Sequence, residues 1–178
     1  MKKSCKGRSK LILVLGGAAS GKSQAALDLA GPAGPRAFVA TGQALDREMA
    51  VRIKRHQATR SSDWETAEVP RNLALWFNHN RVNYQTIVLD CLTLWLSNLR
   101  GRRLTDVAAS EATEDLLRAI RGTKARVVIV SNELGLGLVP ATKTVRAFRD
   151  LAGRVNQQVA AEADEVYLTI SGLPLRLK

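Results

Sequence analysis

The sequence is poor in cysteine, in aromatic residues and in long apolar runs. Of its 178 residues, two are cysteines and 4% are aromatic. Cys5 lies near the N-terminus and Cys91 inside an apolar segment, so they predict neither a disulfide framework nor a cysteine metal site. No apolar stretch approaches the ~20 residues needed to cross a bilayer. We therefore expect neither a disulfide-stapled scaffold nor a membrane-spanning protein.

The first ten residues form a basic tail without acidic residues. The apolar run that follows, 11–15, is too short for the core and cleavage site of a signal peptide, so we expect a cytoplasmic protein. The tail holds five of the 27 Lys and Arg residues, and without it 22 basic residues stand against 16 acidic ones, which lowers the net charge from +11 to +6. A nucleotide enzyme with a solvated tail explains this charge without a nucleic-acid partner.

One glycine-rich segment carries the strongest functional signal. Residues 16–23 read GGAASGKS, between the apolar run 11–15 and the helix-prone segment 24–30. This is the G-x-x-x-x-G-K-[ST] pattern in the strand–helix context of a phosphate-binding loop. In such loops backbone N–H groups surround the phosphates, Lys22 reaches the β- and γ-phosphates, and the Ser23 hydroxyl can bind Mg²⁺. The sequence therefore predicts a protein that binds a nucleoside triphosphate.

Apolar strand-like runs alternate with helix-period segments along the whole chain. After the tail 1–10, this predicts a single α/β domain over 11–178, a three-layer P-loop NTPase fold of RecA-like type with a mostly parallel sheet. Gly172, Leu173 and Pro174 predict a turn into an antiparallel edge hairpin. The predicted strands are 11–15, 36–41, 86–90, 126–131, 165–171 and 173–177, and the predicted helices are 22–30, 44–57, 70–79, 91–99, 106–121 and 141–163.

Two strand ends carry further candidates. Asp90 ends the predicted strand 86–90, the position from which a carboxylate holds Mg²⁺ or its water beside a phosphate loop. The segment 132–140, NELGLGLVP, contains two glycines and a proline and follows another predicted strand. We expect a shaped loop at the carboxyl edge of the sheet, where open α/β folds bind ligands. From this pattern alone, an ordinary connection is an equally good interpretation.

His56 has two interpretations. It follows Leu45, Met49 and Ile53 at helical spacing on one face of the predicted helix 44–57, which is typical of a half-buried structural histidine. Alternatively, its neutral imidazole is a nucleophile for an α-phosphate, and nearby cations stabilise the developing charge and disfavour protonation of the ring. Those cations are Arg52, Lys54, Arg55 and Arg60.

Several segments together resemble one enzyme family, from about residue 11 to the C-terminus. The most distinctive are the loop 132–140 and the segment RDLAGRVNQ at 149–157. The chain resembles the bifunctional adenosylcobinamide kinase/adenosylcobinamide-phosphate guanylyltransferases of cobalamin (vitamin B12) biosynthesis. The other matching positions are 16–23, Ala40, Thr41, 46–49, Arg52, Ile53, His56, 64–66, Glu68, Phe148 and 163–166.

The resemblance implies two reactions. In the first, the γ-phosphoryl of ATP or GTP passes to the hydroxyl of the aminopropanol arm of adenosylcobinamide, with Lys22 in a catalytic role. In the second, GTP guanylylates a histidine and releases pyrophosphate, and the GMP then passes to adenosylcobinamide phosphate to give adenosylcobinamide-GDP. The guanylylated histidine of the family falls on His56, which favours the nucleophile over the structural interpretation.

The resemblance also implies a homotrimer and a set of nucleotide-binding residues, while the motif itself predicts Mg²⁺ as cofactor with Ser23 and Asp90 as its ligands. These residues are Gly16, Gly17, Ala18, Ala19, Ser20, Gly21, Lys22, Ser23, Ala40, Thr41, Gly42, Gln57, Ala58, Thr59, Arg60, Glu68 and Asp90.

The chain departs from the family pattern at two positions. Ala19 stands where many relatives carry Arg, which removes one cation from the triphosphate, and Ser61 replaces a frequent Pro after Arg60. Two other classes of function share the phosphate loop and stay open at this point. They are a RecA-like nucleic-acid ATPase, which suits the positive charge, and a small-molecule kinase without guanylyl transfer. A nucleophilic His56 has no part in either.

Overall fold

The computed structural model describes residues 9–58, 61–100 and 105–178, except for the side chains of Arg52 and residues 54–58. The strands are β1 (Lys10–Gly16), β2 (Arg36–Ala40), β3 (Trp64–Glu68), β4 (Thr86–Asp90), β5 (Arg126–Asn132), β6 (Glu165–Ile170) and β7 (Leu173–Arg176). The helices are α1 (Lys22–Ala30), α2 (Arg47–Ala58), α3 (Leu73–His79), α4 (Leu92–Arg100), α5 (Asp106–Arg121) and α6 (Lys143–Glu162). The basic tail up to residue 8 lies outside the described residues.

The strands form one sheet in the order β3-β2-β4-β5-β1-β6-β7. Neighbouring strands are parallel except for β6 and β7, which are antiparallel. This confirms the predicted mostly parallel sheet with an antiparallel edge hairpin. The strand β5 separates β1, which leads into the phosphate loop, from β4, which ends in Asp90.

The side chains of β1 alternate between two core clusters. Leu11 and Leu13 pack in a cluster with α3, α4, α5 and α6, whereas Ile12 and Val14 pack in a cluster with α1. Because both faces of the strand are buried, every position requires an apolar residue, which explains the unbroken run in the sequence. Helices on both faces of the sheet confirm the predicted three-layer fold.

Two helices begin three residues later than predicted. The carboxylate of Asp46 accepts a hydrogen bond from the Met49 N–H at 2.7 Å and caps α2, which therefore begins at Arg47 rather than at 44. Leu45 consequently lies before the helix and is exposed, so its predicted place on the apolar face is wrong. The helix α3 begins at Leu73 rather than at 70 because the Pro70 and Arg71 carbonyls accept hydrogen bonds from α4 side chains instead.

The edge strand β3 was missed by the sequence prediction. Its sequence, WETAE, carries two acids and is largely exposed, so it lacks the apolar run that marked the other strands. Trp64 fixes its first position, because its ring meets Phe38 edge-on with centroids 6.5 Å apart and lies 4.9 Å from the Arg36 guanidinium carbon.

The hairpin between β6 and β7 has a two-residue turn, Ser171 and Gly172. Both residues have positive φ, 51° and 84° respectively, as the right-handed twist of a hairpin favours. Pro174 is on the outer strand, where the missing N–H costs no sheet hydrogen bond. Among the described residues, no helix has the length and apolar character needed to cross a membrane.

Candidate active site

The phosphate loop, residues 16–23, connects β1 to α1 at the carboxyl edge of the sheet. Gly21 has a φ of 89° and precedes α1, whose N-terminal N–H groups face the loop. Lys22 is buried, and its ammonium group donates a 2.8 Å hydrogen bond to the Gly17 carbonyl, so the side chain lies back across the loop. A helix N-terminus with a lysine over the loop is the geometry that binds phosphate.

The β6–β7 turn packs directly against this loop. The Gly172 N–H donates to the Ser20 carbonyl at 2.8 Å. A Cβ added to Gly21 would lie 2.9 Å from the Gly172 Cα, and one added to Gly16 would lie 2.8 Å from the Thr169 carbonyl oxygen. The loop therefore requires glycine at 16 and 21 because β6 and its turn lie so close. The residues 172–174 predict the turn, but no local pattern predicts its contact with the phosphate loop.

Three predicted nucleotide-binding residues lie in one row across the sheet. Ala40 at the end of β2 is in register with Glu68 at the end of β3 and with Asp90 at the end of β4. Asp90 is in register with Val130 of the next strand, β5. The strand β4 therefore lies two strands from β1, and the distance between these strands is roughly 10 Å at normal strand spacing. The carboxyl ends of β3, β2, β4 and β1, with β5 between the last two, thus bring these residues and the phosphate loop to one edge.

The charges of Asp90 and Lys22 both act on the thiol of Cys91, the residue that follows β4. Burial, and to a lesser degree the Asp90 carboxylate, raise the pKa of the Cys91 thiol to about 12, while the charge of Lys22 acts in the opposite direction. Both charges therefore lie close enough to Cys91 to affect its titration. The thiol itself is buried and protonated, so it is not a nucleophile at neutral pH.

Thr41 ties the end of β2 to the end of β4. Its hydroxyl donates to the Cys91 carbonyl at 2.7 Å and accepts from the Cys91 N–H at 2.9 Å, and its own N–H donates to the Asp90 carbonyl at 3.1 Å. The residue is fully buried. The hydroxyl proton is thus engaged inside the protein, and a direct contact of Thr41 with nucleotide stays a prediction.

The helix α2, which contains position 56, packs over Gly42. A Cβ on Gly42 would lie 3.8 Å from Ile53 Cδ1 and 3.6 Å from Leu94 Cδ1, so Ile53 anchors the helix at the carboxyl edge of the sheet. His56 follows Ile53 by three residues in the same helix. The side chains of His56, Gln57 and Ala58, and all of Thr59 and Arg60, lie outside the described residues, and their predicted roles stay predictions.

A buried polar network, which no sequence pattern predicts, fixes the end of β5. The Ser131 hydroxyl donates to the Asn156 side-chain oxygen at 2.7 Å and lies 3.2 Å from the Thr93 hydroxyl. The Asn156 amide donates to the Asn132 carbonyl at 3.0 Å, and the Asn132 N–H donates to Thr93 at 2.9 Å. The signal in the sequence was an asparagine beside the apolar stripe of α6, a residue type that is buried only when hydrogen-bonded.

The segment after β5 is a loop whose shape is fixed by hydrogen bonds. This agrees with the shaped-loop interpretation of residues 132–140 rather than with an ordinary connection. The Glu133 N–H donates to the Gly16 carbonyl at 3.0 Å, which joins the loop to the start of the phosphate loop. The Glu133 carboxylate accepts from the Gly135 N–H at 2.7 Å, and Arg146 donates to the Pro140 carbonyl at 2.9 Å. Both ends of this loop are therefore fixed.

This fold and this site define a class, the P-loop proteins that bind nucleoside triphosphates. Within that class, a family model described as cobinamide kinase / cobinamide phosphate guanyltransferase matches residues 12–177. The chain belongs to this family. The match covers nearly the whole chain and so confirms the resemblance seen in the sequence.

Three curated relatives agree with the family assignment. The bifunctional adenosylcobalamin biosynthesis protein CobU of Salmonella typhimurium is 42% identical over 94% of this chain and 99% of its own length. The protein of the same name from Escherichia coli is 37% identical with the same coverage. CobP of Pseudomonas aeruginosa, also titled a bifunctional adenosylcobalamin biosynthesis protein, is 40% identical over 93% of this chain and 96% of its own.

The similarity of this chain to solved structures is weaker than its similarity to these relatives. The RadB recombinase matches with a TM-score of 0.45 and 14% identity, covering 89% of this chain and 73% of that one. A match this low adds nothing to the family assignment.

Proposed function

We propose that this chain is a bifunctional adenosylcobinamide kinase and adenosylcobinamide-phosphate guanylyltransferase of cobalamin biosynthesis, using ATP or GTP in the first step and GTP in the second. The observation that carries the proposal is the family match over residues 12–177, together with a phosphate loop that faces Asp90 across the sheet edge. The family match favours this function over the alternative classes, a nucleic-acid ATPase and a kinase without guanylyl transfer.

In the kinase step, the phosphate loop holds the triphosphate and Lys22 neutralises charge on the β- and γ-phosphates. The acceptor hydroxyl forms the new O–P bond, the bond from the γ-phosphorus to the β–γ bridging oxygen breaks, and the hydroxyl proton passes to solvent or base. Because the transition state spreads charge over the transferred group, positioning and cations supply most of the catalysis.

Mg²⁺ fits the oxygen donors of this site. Mg²⁺ prefers hard oxygen ligands and usually keeps several waters, and Ser23 on α1 and Asp90 on β4 supply a hydroxyl and a carboxylate of this type. Among the described residues, no group of three or more His, Cys, Asp or Glu side chains forms a metal cage. A few protein ligands plus phosphates are what a nucleotide-bound Mg²⁺ requires, and it would offset the negative charge of the triphosphate.

In the guanylyl-transfer step, the His56 imidazole attacks the α-phosphorus of GTP. A P–N bond forms, the bond from the α-phosphorus to pyrophosphate breaks, and pyrophosphate leaves. An oxygen of the phosphate on adenosylcobinamide phosphate then attacks the same phosphorus, the P–N bond breaks, and the imidazole is restored. The nearby basic residues stabilise the charge that develops in both displacements.

The homotrimer and the cytoplasmic location belong to the same proposal. Leu173, Leu175 and Leu177 are exposed and alternate along the edge of the sheet, so they share one face. An exposed apolar row of this kind is typical of a subunit contact. Multi-angle light scattering of the purified chain would give three chain masses if the proposal is right.

Incubation of the purified chain with adenosylcobinamide, GTP and Mg²⁺ tests the function. We expect adenosylcobinamide phosphate first and adenosylcobinamide-GDP later, both identified by mass spectrometry, and we expect the Lys22→Ala variant to lose the first product. Nucleotide hydrolysis stimulated by single-stranded DNA, without a corrinoid product, would contradict the proposal.

A further inference from the structure

We propose that the loop after β5, residues 133–140, is the surface that binds the apolar rim of the phosphoryl acceptor, through Leu136, Leu138 and Val139. We call these three residues the apolar rim contact. This inference rests on the proposed function, because it names where that function holds its large macrocyclic substrate.

The side chains of this contact are unusually exposed for their type. Leu136 is 78% exposed, Leu138 is 96% exposed and Val139 is 72% exposed, whereas Leu134 in the same loop packs against the core. Three large apolar side chains within four positions are therefore exposed in a loop that already packs one leucine against the core. Clustered exposed apolar side chains on a soluble domain mark a surface that meets a ligand or partner.

The loop that carries them is held at both ends. The network of Thr93, Ser131 and Asn156 fixes the end of β5, and the Glu133 N–H is bonded to Gly16. At the other end, Arg146 of α6 donates to the carbonyls of Pro140 and Ala141 at 2.9 and 2.7 Å. Holding apolar groups in water on an anchored loop reduces the conformational entropy lost when a ligand binds them.

The position of the loop indicates which ligand it meets. The strand β5 lies between β1, which leads into the phosphate loop, and β4, which ends in Asp90, so the loop leaves the sheet between these two elements. In the proposed function the γ-phosphate would lie in that interval, bound by Lys22 and by the Mg²⁺ that Ser23 and Asp90 would hold. An acceptor hydroxyl aligned with the γ-phosphate therefore brings the rest of the acceptor close to the end of β5.

The chemistry of the acceptor matches the contact. Adenosylcobinamide carries its hydroxyl on a short arm, and the macrocycle behind that arm has a rim of methyl groups among its amide side chains. Leucine and valine side chains bury methyl groups without needing a hydrogen bond. The nucleotide, in contrast, offers charged phosphates and a polar base and gains nothing from the apolar rim contact.

The test compares two exposed surfaces at opposite edges of the sheet. The Leu136→Ser/Leu138→Ser variant changes the apolar rim contact, and Val82→Ser is the matched control, because Val82 is 82% exposed in the turn before β4, at the amino edge. KM for adenosylcobinamide, KM for ATP, labelling of the protein by GTP carrying label in the α-phosphate, and subunit number by light scattering are measured for each. Leu138→Met keeps an apolar side chain and serves as the conservative variant.

We expect the double variant to raise KM for adenosylcobinamide about tenfold, the loss of roughly one leucine side chain's burial. KM for ATP, labelling by GTP and subunit number should not change, and Val82→Ser and Leu138→Met should behave as the wild type. An unchanged KM for adenosylcobinamide overturns the inference. A change in subunit number also overturns it, because the loop then binds a second copy of the chain. If the wild type produces no corrinoid product, the proposed function itself fails, which is a different result from an unchanged KM.

Discussion

Replacing Gly172 by alanine tests whether the β6–β7 turn supports the phosphate loop. Gly172 has a φ of 84°, and a Cβ at this position meets no atom within 4 Å, so alanine adds backbone strain but no clash. The Gly172 N–H donates to the Ser20 carbonyl at 2.8 Å. Relief of the strain requires the turn to rotate, and rotation moves this N–H away from the loop.

The magnitude follows from two energies. An L-residue in the left-handed region costs about 1–2 kcal/mol, so the free energy of unfolding should fall by about that amount. Loss of one neutral hydrogen bond is worth about 1 kcal/mol net, so nucleotide binding should weaken about fivefold. The second effect arises only if the turn positions the phosphate loop.

The control is Gly31→Ala at the C-terminal end of α1. Gly31 has a φ of 76°, its added Cβ also meets nothing within 4 Å, and it lies at the end of α1 opposite to the phosphate loop. Urea unfolding and titration with a fluorescent GTP analogue are measured for both variants. We expect both to lose stability and only Gly172→Ala to bind GTP more weakly. Equal dissociation constants for the two variants would refute the supporting role of the turn.

Three further predictions concern single side chains. Thr41→Val leaves buried Cys91 backbone groups without their partner, so the free energy of unfolding in urea should fall by about 2 kcal/mol, while Thr41→Ser should keep the wild-type value. In a Cys5→Ser background, the Cys91 thiol should resist a disulfide reagent at pH 8. Its pKa of about 12 lies above the unfolded value of 9.0, so its contribution to stability should be lost as pH rises from about 9 toward 12, as pH-dependent unfolding would show. Ala19→Arg should lower KM for ATP severalfold in a steady-state assay, since it returns a cation to the triphosphate, and an unchanged KM would contradict this.

The elements around the phosphate loop could be predicted from the sequence because their signals are local. Strand β1 is buried on both faces and reads as an unbroken apolar run, and α1 extends over 22–30 as predicted. The helix α5 also has its predicted bounds, because Thr105 caps its first turn by accepting from the Ala108 N–H and Gly122 follows its last residue. Helix caps and hydrophobic periodicity depend only on residues that are close in sequence, so they were sufficient to predict these three elements.

The contacts that complete the site join residues far apart in the chain. Ser20 and Gly172 are hydrogen-bonded, and Ser131 and Asn156 are hydrogen-bonded, yet no local pattern pairs them. Strand β3 was missed because its stability comes from pairing with β2 rather than from an apolar face of its own. His56 differs again, since residue patterns left two interpretations open and only the family resemblance favoured the nucleophile.

The most direct test of the proposed mechanism is the identity of the residue that receives GMP. The wild-type chain is incubated with GTP and Mg²⁺ without acceptor, digested under neutral conditions, and mapped by mass spectrometry, with His79→Ala as the control for a histidine exposed at the end of α3. We expect one GMP on the peptide containing position 56, lability of that adduct in acid, and its loss in His56→Ala but not in His79→Ala. A GMP adduct on any other residue, or its persistence in His56→Ala, would contradict transfer through this imidazole.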